Sequence, residues 1–302
     1  CFYCLRFKFF GDALQMREPL RLALVTDIHH GEDKLTKRGE SALSLLDSFL
    51  SFAGDWGADM IVDLGDRISD VNRETDSQLL ADVASRFEGL NTPHSHLHGN
   101  HDVAFLGANV NSETFSQPAS SYSIEMKGWR LIFWQADTFI PWPETFRIRQ
   151  SDLAWLSDEL QKSDLPTIIF SHVPLGSGSM QSNYWFQNNP EVGGYPNASE
   201  ARAIIQSSGH VVLCVSGHVH WNSLNQVNAI PHITLQSLTE SFTTSGEAAG
   251  AWATLEVNDD IHWRVYGSDP IELRLPLREP GHTWTSPLPK IRKHQLTHRT
   301  HN

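Results

Sequence analysis

The segment Arg21-Leu22-Ala23-Leu24-Val25-Thr26-Asp27-Ile28-His29 decides the fold. Its apolar run reads as a short strand buried on both faces, and it stops at a carboxylate and an imidazole two positions apart. The same unit recurs down the chain. Met60 to Leu64 ends at Gly65-Asp66, and His94 to His98 ends at Gly99-Asn100-His101. Thr167 to Phe170 ends at Ser171-His172, and Val211 to Val215 ends at Gly217-His218-Val219-His220. Helical patterns fall between them: Leu43, Leu46, Leu50 and Ala53 recur at helical spacing, as do Leu153, Leu156 and Leu160, with further helices over about 76–87 and 199–207. Residues 121–126 and 129–136 form a hairpin turned at Lys127-Gly128. After His220 the pattern is β only, over 232–235, 251–257 and 261–266.

Alternating strands and helices imply an α/β protein with a largely parallel, helix-covered sheet, and the later strands imply a second sheet packed against it. The chain shows no internal repeat and no dividing linker. The expected organisation is an N-terminal extension over 1–18, one domain over 19–268, and a proline-rich, then basic tail over 269–302 that is extended or disordered.

The chain has 302 residues, 40% of them hydrophobic, which is enough to bury a sizeable core. No run is long and apolar enough to span a membrane. The formal net charge of −12 argues against a nucleic-acid polymer as partner, because phosphate backbones are bound by fields of Lys and Arg. It leaves a small phosphate ester open, since metal cations can supply positive charge locally. Cys214, in the apolar run 211–215, reads as a buried core thiol. Cys1 and Cys4 form a lone C-x-x-C that lacks the second pair a zinc site needs. The segment Cys1 to Phe10 carries Arg6 and Lys8 and makes a poor signal-peptide core. The compartment expected is therefore the cytoplasm, with export as the alternative.

Asp27/His29, Asp66, Asn100/His101, His172 and His218/His220 all fall just after the C-terminal ends of buried strands, the edge where open α/β sheets bind ligands. Two carboxylates, four imidazoles and an amide oxygen suit Mn, Fe or Zn rather than a soft thiolate metal. They are too many for one tetrahedral ion and right for two, with Asp66 able to bridge. A bridging water acidified to a nucleophile, and phosphate oxygens clamped for in-line attack, is the chemistry such a pair supports.

Asp27-x-His29, Gly65-Asp66, Gly99-Asn100-His101-Asp102, His172 and Gly217-His218-Val219-His220 resemble, in order, the five blocks of the calcineurin-like metallophosphoesterase family. The similarity spans about residues 20 to 266. It implies a four-layer αββα sandwich in which Asp27, His29 and His220 hold one metal, Asn100, His172 and His218 hold the other, and Asp66 bridges them. By the same resemblance, His101 binds the phosphoryl group or protonates the leaving oxygen, with Asp102 orienting its ring.

The run Gly65-Asp66-Arg67-Ile68-Ser69-Asp70 lacks the G-D-x-V-D-R-G of the family's protein phosphatases and the later Tyr of its purple acid phosphatases, where Ser69 stands instead. It also lacks the second His of its repair nucleases. What remains is similar to the cyclic-nucleotide phosphodiesterase-like branch, with Asp70 four positions after Asp66 as in many members. The expected function is hydrolysis of a small phosphodiester, a cyclic nucleotide among the candidates. The alternatives are a phosphomonoesterase, a nucleotide pyrophosphatase, or a non-catalytic binding module on the same fold.

Several other residues have competing readings. His30 is either a substrate contact or a solvated loop histidine. His94, His96 and His98 share one strand face and read as packing or hydrogen-bonding residues rather than a third metal site. Arg67 either meets phosphate or forms a surface ion pair. Trp221 either stacks on a base or packs in the core. The aromatic-rich stretch Pro174 to Pro196 is the expected substrate loop, and the tail histidines His294, His298 and His301 read as solvated.

Overall fold

A computed structural model describes residues 18–176, 178–278 and 288. The Cys1-Cys4 pair, the segment Cys1 to Phe10 and the tail histidines lie outside the described residues.

β1 (Leu20–Val25) shows how one strand commits the architecture. Side chains alternate across a strand, and here both sets are apolar: Leu20, Leu22 and Leu24 enter one core, while Ala23 and Val25 enter another. β2 (Met60–Asp63) and β3 (His94–His96) add to it in parallel, joined through α1 (Ala42–Trp56) and α2 (Arg73–Phe87). α2 starts at Asn72, whose side chain accepts from the amides of Glu74 and Thr75. The short helices α3 (Asn100–Val103) and α4 (Gly107–Phe115) follow.

The second sheet begins with the hairpin of β4 (Tyr122–Met126) and β5 (Trp129–Phe133), whose turn residues Lys127 and Gly128 both have positive φ. β6 (Thr167–Ser171), β7 (Val211–Ser216) and β9 (Ile230–Thr234) extend it in parallel from β5, with α5 (Gln150–Leu160) and α6 (Ala198–Ser208) as crossovers, and β8 (Ser223–Val227) closes the edge. The chain then returns to the first sheet as β10 (Trp252–Val257), β11 (Asp260–Tyr266) and β12 (Glu272–Pro276), all antiparallel, with β10 paired to β1.

The orders are β12-β11-β10-β1-β2-β3 and β4-β5-β6-β7-β9-β8. Leu22, Leu24 and Val62 from one sheet meet Phe133, Phe170 and Val215 from the other in a shared core. α1 and α2 cover the outside of the first sheet, and α5 and α6 the outside of the second. This is the four-layer αββα sandwich. The partition of strands differs from the sequence reading, which put the early strands in one sheet and the late ones in another. Instead each sheet has its own parallel block, β1-β2-β3 in the first and β5-β6-β7-β9 in the second, and the last three strands complete the first sheet, because β1 needs a partner on the side away from β2. β12 falls inside the stretch read as an extended tail. Among the described residues no helix is long and apolar enough to cross a membrane, and Cys214 is a buried free thiol.

Of the three alternating histidines, His94 and His96 on β3 resolve as hydrogen bonding, whereas the His98 ring is buried with neither nitrogen hydrogen-bonded among the described residues. His94 Nδ1 lies 3.0 Å from His96 Nε2, and His96 Nδ1 lies 2.9 Å from the Asp63 carboxylate. Burial pushes His96 down to about 4 despite Asp63, and it pushes His232 on β9 to about 4 as well. In the unfolded chain both titrate near about 6.5. The fold therefore binds fewer protons than the unfolded chain in this window, so this part of the stability is present above about pH 6.5 and is lost as pH falls toward 4. Urea midpoints should drop between about pH 7 and about pH 5. His232→Gln should flatten that slope, and an unchanged slope would exclude His232 as a source.

Candidate metal centre

The parallel strands β1-β2-β3 and β6-β7-β9 point their C-terminal ends at one edge of the sandwich, and the loops leaving those ends carry Asp27/His29, Asp66, Asn100, His172 and His218/His220. Several of these loops turn back within a few residues. Asp27, His29, Asp66, His218 and His220 all have φ between 47° and 70°, a left-handed conformation uncommon for side-chain-bearing residues. Such concentrated backbone strain marks positions that surrounding contacts over-determine. Two glycines make the close approach possible: a Cβ on Gly99 would strike the Asp66 carboxylate, and one on Gly217 would strike Thr26 and Asp27.

The side chains converge as two overlapping groups. Ligand atoms of Asp27, His29, Asp66 and His220 all lie within 4.8 Å of one another, as do those of Asp66, His172 and His218. Asp66 belongs to both. Asn100 joins the second group through its Oδ1, 3.4 Å from His172 Nε2. The structure therefore brings together all seven residues singled out in the sequence, nearly all fully buried.

Three of the four rings have their outer nitrogen engaged, which fixes the one that faces inward, whereas His29 Nδ1 is buried with no hydrogen-bond partner among the described residues. His172 Nδ1 lies 2.9 Å from the Leu64 carbonyl, His220 Nδ1 lies 2.7 Å from Glu240 Oε2, and His218 Nε2 lies 2.8 Å from the Val192 carbonyl. Thr26 Oγ1 and the His218 amide both donate to Asp27 Oδ2, whereas Asp27 Oδ1 is buried with no hydrogen-bond partner. His29 Nε2 and His220 Nε2 face each other at 2.9 Å beside that orphaned oxygen. Lone pairs gathered so closely, away from water, are what a cation requires. The set is oxygen and imidazole, which suits a divalent ion of the Mn, Fe or Zn type.

The electrostatics agree. Burial alone would push His172 down, but Asp66 and Asp27 raise it to about 9. Burial opposes His220 likewise, and Asp27 and Glu240 raise it to about 9. Asp66 is held well below the usual carboxylate range by His172 and His101, against its burial. Burial and neighbouring positive charge push His29 and His218 the other way. The carboxylates thus override desolvation at His172 and His220 but not at His29 and His218.

Two expectations need correction. Asp102 does not reach the ring of His101. Its carboxylate accepts from the amides of Gly99, Asp66 and Arg67 and pairs with the Arg67 guanidinium, so it shapes the loops. The carboxylate that meets His101 Nδ1 in a short contact is Asp70. Arg67 meets neither phosphate nor the surface. It is fully buried, bonded to Asp63, Asn111 and the Leu97 carbonyl. His30 lies 3.6 Å from Asp82, and Trp221 is part-buried and absent from the cleft wall.

Glu240 was not singled out in the sequence. It follows β9, so it sits at a sixth strand end, and it holds both His220 and the indole of Trp185. The cleft above the clusters has a volume of about 740 Å³. Trp185 and Phe186 of the 174–196 loop line it, as that stretch suggested, but so do Phe105, Phe139 and Trp142 from segments the sequence did not flag.

A model of the calcineurin-like phosphoesterase family matches residues 20–222, more than half of the chain. A probable cyclic nucleotide phosphodiesterase of Psychrobacter sp. (strain PRwf-1) is 25% identical over 233 residues, which cover 70% of this chain and 64% of that protein. The match therefore spans less than two thirds of that relative's length. Among solved structures, a dimetal phosphatase from Danio rerio aligns with a TM-score of 0.66 at 16% identity, covering 85% of this chain and 99% of that one. A purple acid phosphatase from yellow lupin (Lupinus luteus) seeds aligns with a TM-score of 0.60 at 13% identity, covering 85% of this chain and 54% of that one. At these identities the two structures speak for the fold alone.

Proposed function

The chain belongs to the calcineurin-like phosphoesterase family, and from that premise we propose that it is a metal-dependent hydrolase of a small, nucleotide-like phosphodiester. The observation that carries the reading is the juxtaposition of two overlapping cation-binding groups with an apolar-walled cleft about 740 Å³ in volume. That is room for a base and sugar beside the phosphate. The Psychrobacter relative's name points to the same substrate class.

In this reading Asp27, His29 and His220 would hold one divalent ion and Asn100, His172 and His218 the other, with Asp66 shared between the two groups. The ions supply Lewis acidity toward water and phosphate oxygens. The protein does the rest. Glu240, Leu64 and Val192 fix the ligating rings. His101, its Nδ1–H donated to Asp70, can pass a proton from Nε2 to the leaving oxygen when the ring carries both protons, and then returns to the Nδ1–H form. Phe105, Phe139, Trp142, Trp185 and Phe186 exclude water and receive the organic group.

Purified protein loaded with Mn, Fe or Zn should turn over bis(p-nitrophenyl) phosphate faster than p-nitrophenyl phosphate. Turnover of the monoester alone would reject the diesterase assignment, and turnover of neither would favour a binding module.

A further inference from the structure

Lys37 is a buried lysine, 5% exposed, in the wall of the same cleft. Burial disfavours its charge, and the carboxylates of Asp66, Asp70 and Glu240 are the influences that favour it. Yet among the described residues its ammonium forms neither an ion pair nor a side-chain hydrogen bond. It rests instead over the ring of Trp185, 5.3 Å from the centroid. A buried charge without a hydrogen-bonding partner is costly in a fold, and a cleft is where such a cost has a use.

The backbone holds this residue rigidly. Lys37 and Lys34 exchange amide-to-carbonyl bonds of 2.9 and 3.0 Å. The flanking residues tie to the segment that carries Glu240: the Arg38 amide donates to the Thr239 carbonyl, and Ser241 Oγ donates to the Thr36 carbonyl. Glu240 in turn holds both His220 and the Trp185 indole. One hydrogen-bonded unit therefore fixes the Lys37 backbone relative to the metal-binding residues, and the Trp185 ring, held by the same Glu240, is where the ammonium rests.

We propose that Lys37 is the substrate-binding cation of the site, contacting a phosphate oxygen of the ester beside the two ion-binding groups; this rests on the phosphoester reading above. A residue that only balanced the charge of Asp66, Asp70 and Glu240 would have the same burial but no direct hold on the anion. The two roles separate in a binding measurement.

Inorganic phosphate is titrated calorimetrically into metal-loaded protein. Lys37→Gln should weaken phosphate binding about 10- to 100-fold, the loss of one charge-assisted hydrogen bond. It should raise KM for the diester comparably, with kcat less affected and metal content unchanged. Lys37→Arg should recover part of the affinity. In the native protein, bound phosphate should shield Lys37 from acylation by acetic anhydride, a readout that needs no variant to fold. Unchanged phosphate affinity and KM in metal-replete Lys37→Gln, or unshielded labelling, would overturn the assignment. Phosphate binding that depends on Lys37 without any ester turnover would uphold it while rejecting the hydrolase reading. No phosphate binding by the native protein would overturn it.

Discussion

Asp66→Asn should leave a folded protein that retains at most about one metal ion per chain and turns over phosphodiester at least about a thousandfold more slowly. Asp66 is the one residue shared by both ligand groups. Its Oδ1 accepts from the His101 amide at 2.8 Å, and its Oδ2 lies 3.3 Å from His172 Nε2 and 3.9 Å from His29 Nε2. An amide of the same shape must turn its NH₂ either toward the His101 N–H, setting donor against donor, or toward the imidazoles and the cations they would hold. Both choices lose the bridging charge. The backbone should tolerate the change, because Asn accepts the left-handed conformation that Asp66 adopts at φ 56°. Elemental analysis and a melting curve on the same sample check this, and a full complement of two ions in the variant would refute the bridging role.

The sequence disclosed the centre because its residues obey a rule of position. Each ligand follows the C-terminal end of a buried strand, and a strand buried on both faces is visible as an apolar run. Asp27 after Leu22 to Val25 and His172 after Thr167 to Phe170 are legible on that ground alone. What the sequence did not disclose depends on partners distant in the chain. Arg67 beside Asp66 looks like a phosphate ligand until α4 and the residue after β3 close over it, supplying Asn111 and the Leu97 carbonyl. No local periodicity could tell a buried arginine from an exposed one. Glu240 was legible in principle as a polar residue beyond β9, but no adjacent His or Asp drew attention to it. The sharing of strands between sheets was hidden because β10 pairs with β1 across most of the chain, and pairing over that separation leaves no spacing signal. The edge strands β8 and β12 were missed for a related reason: both alternate exposed with half-buried positions, so neither has the apolar run that marks a buried strand.

His101→Ala should keep both metal ions and lose rate, and the size of the loss should depend on the leaving group. The ring is held from two sides. Its amide is anchored to Asp66, its Nδ1 to Asp70, and it packs edge-on against His29 with ring centroids 4.8 Å apart. With Nδ1 occupied, Nε2 is the nitrogen left for substrate in the cleft that His101 lines. If that nitrogen protonates the leaving oxygen, a poor leaving group such as a nucleoside hydroxyl should suffer the full loss, about 10²- to 10⁴-fold in kcat. Bis(p-nitrophenyl) phosphate releases an acidic phenol that departs without a proton, so it should lose far less. If His101 only binds the phosphoryl group, both substrates should slow equally. Asp70→Asn gives the companion test: the ring keeps an acceptor at Nδ1 but loses the negative charge that faces the doubly protonated ring, so the same substrate-dependent loss should appear in milder form. Equal losses on both esters would remove the general-acid role and leave His101 as a phosphoryl-binding residue. Loss of metal from His101→Ala would show instead that the ring holds the ions, against the separation of the seven ligands from the proton donor.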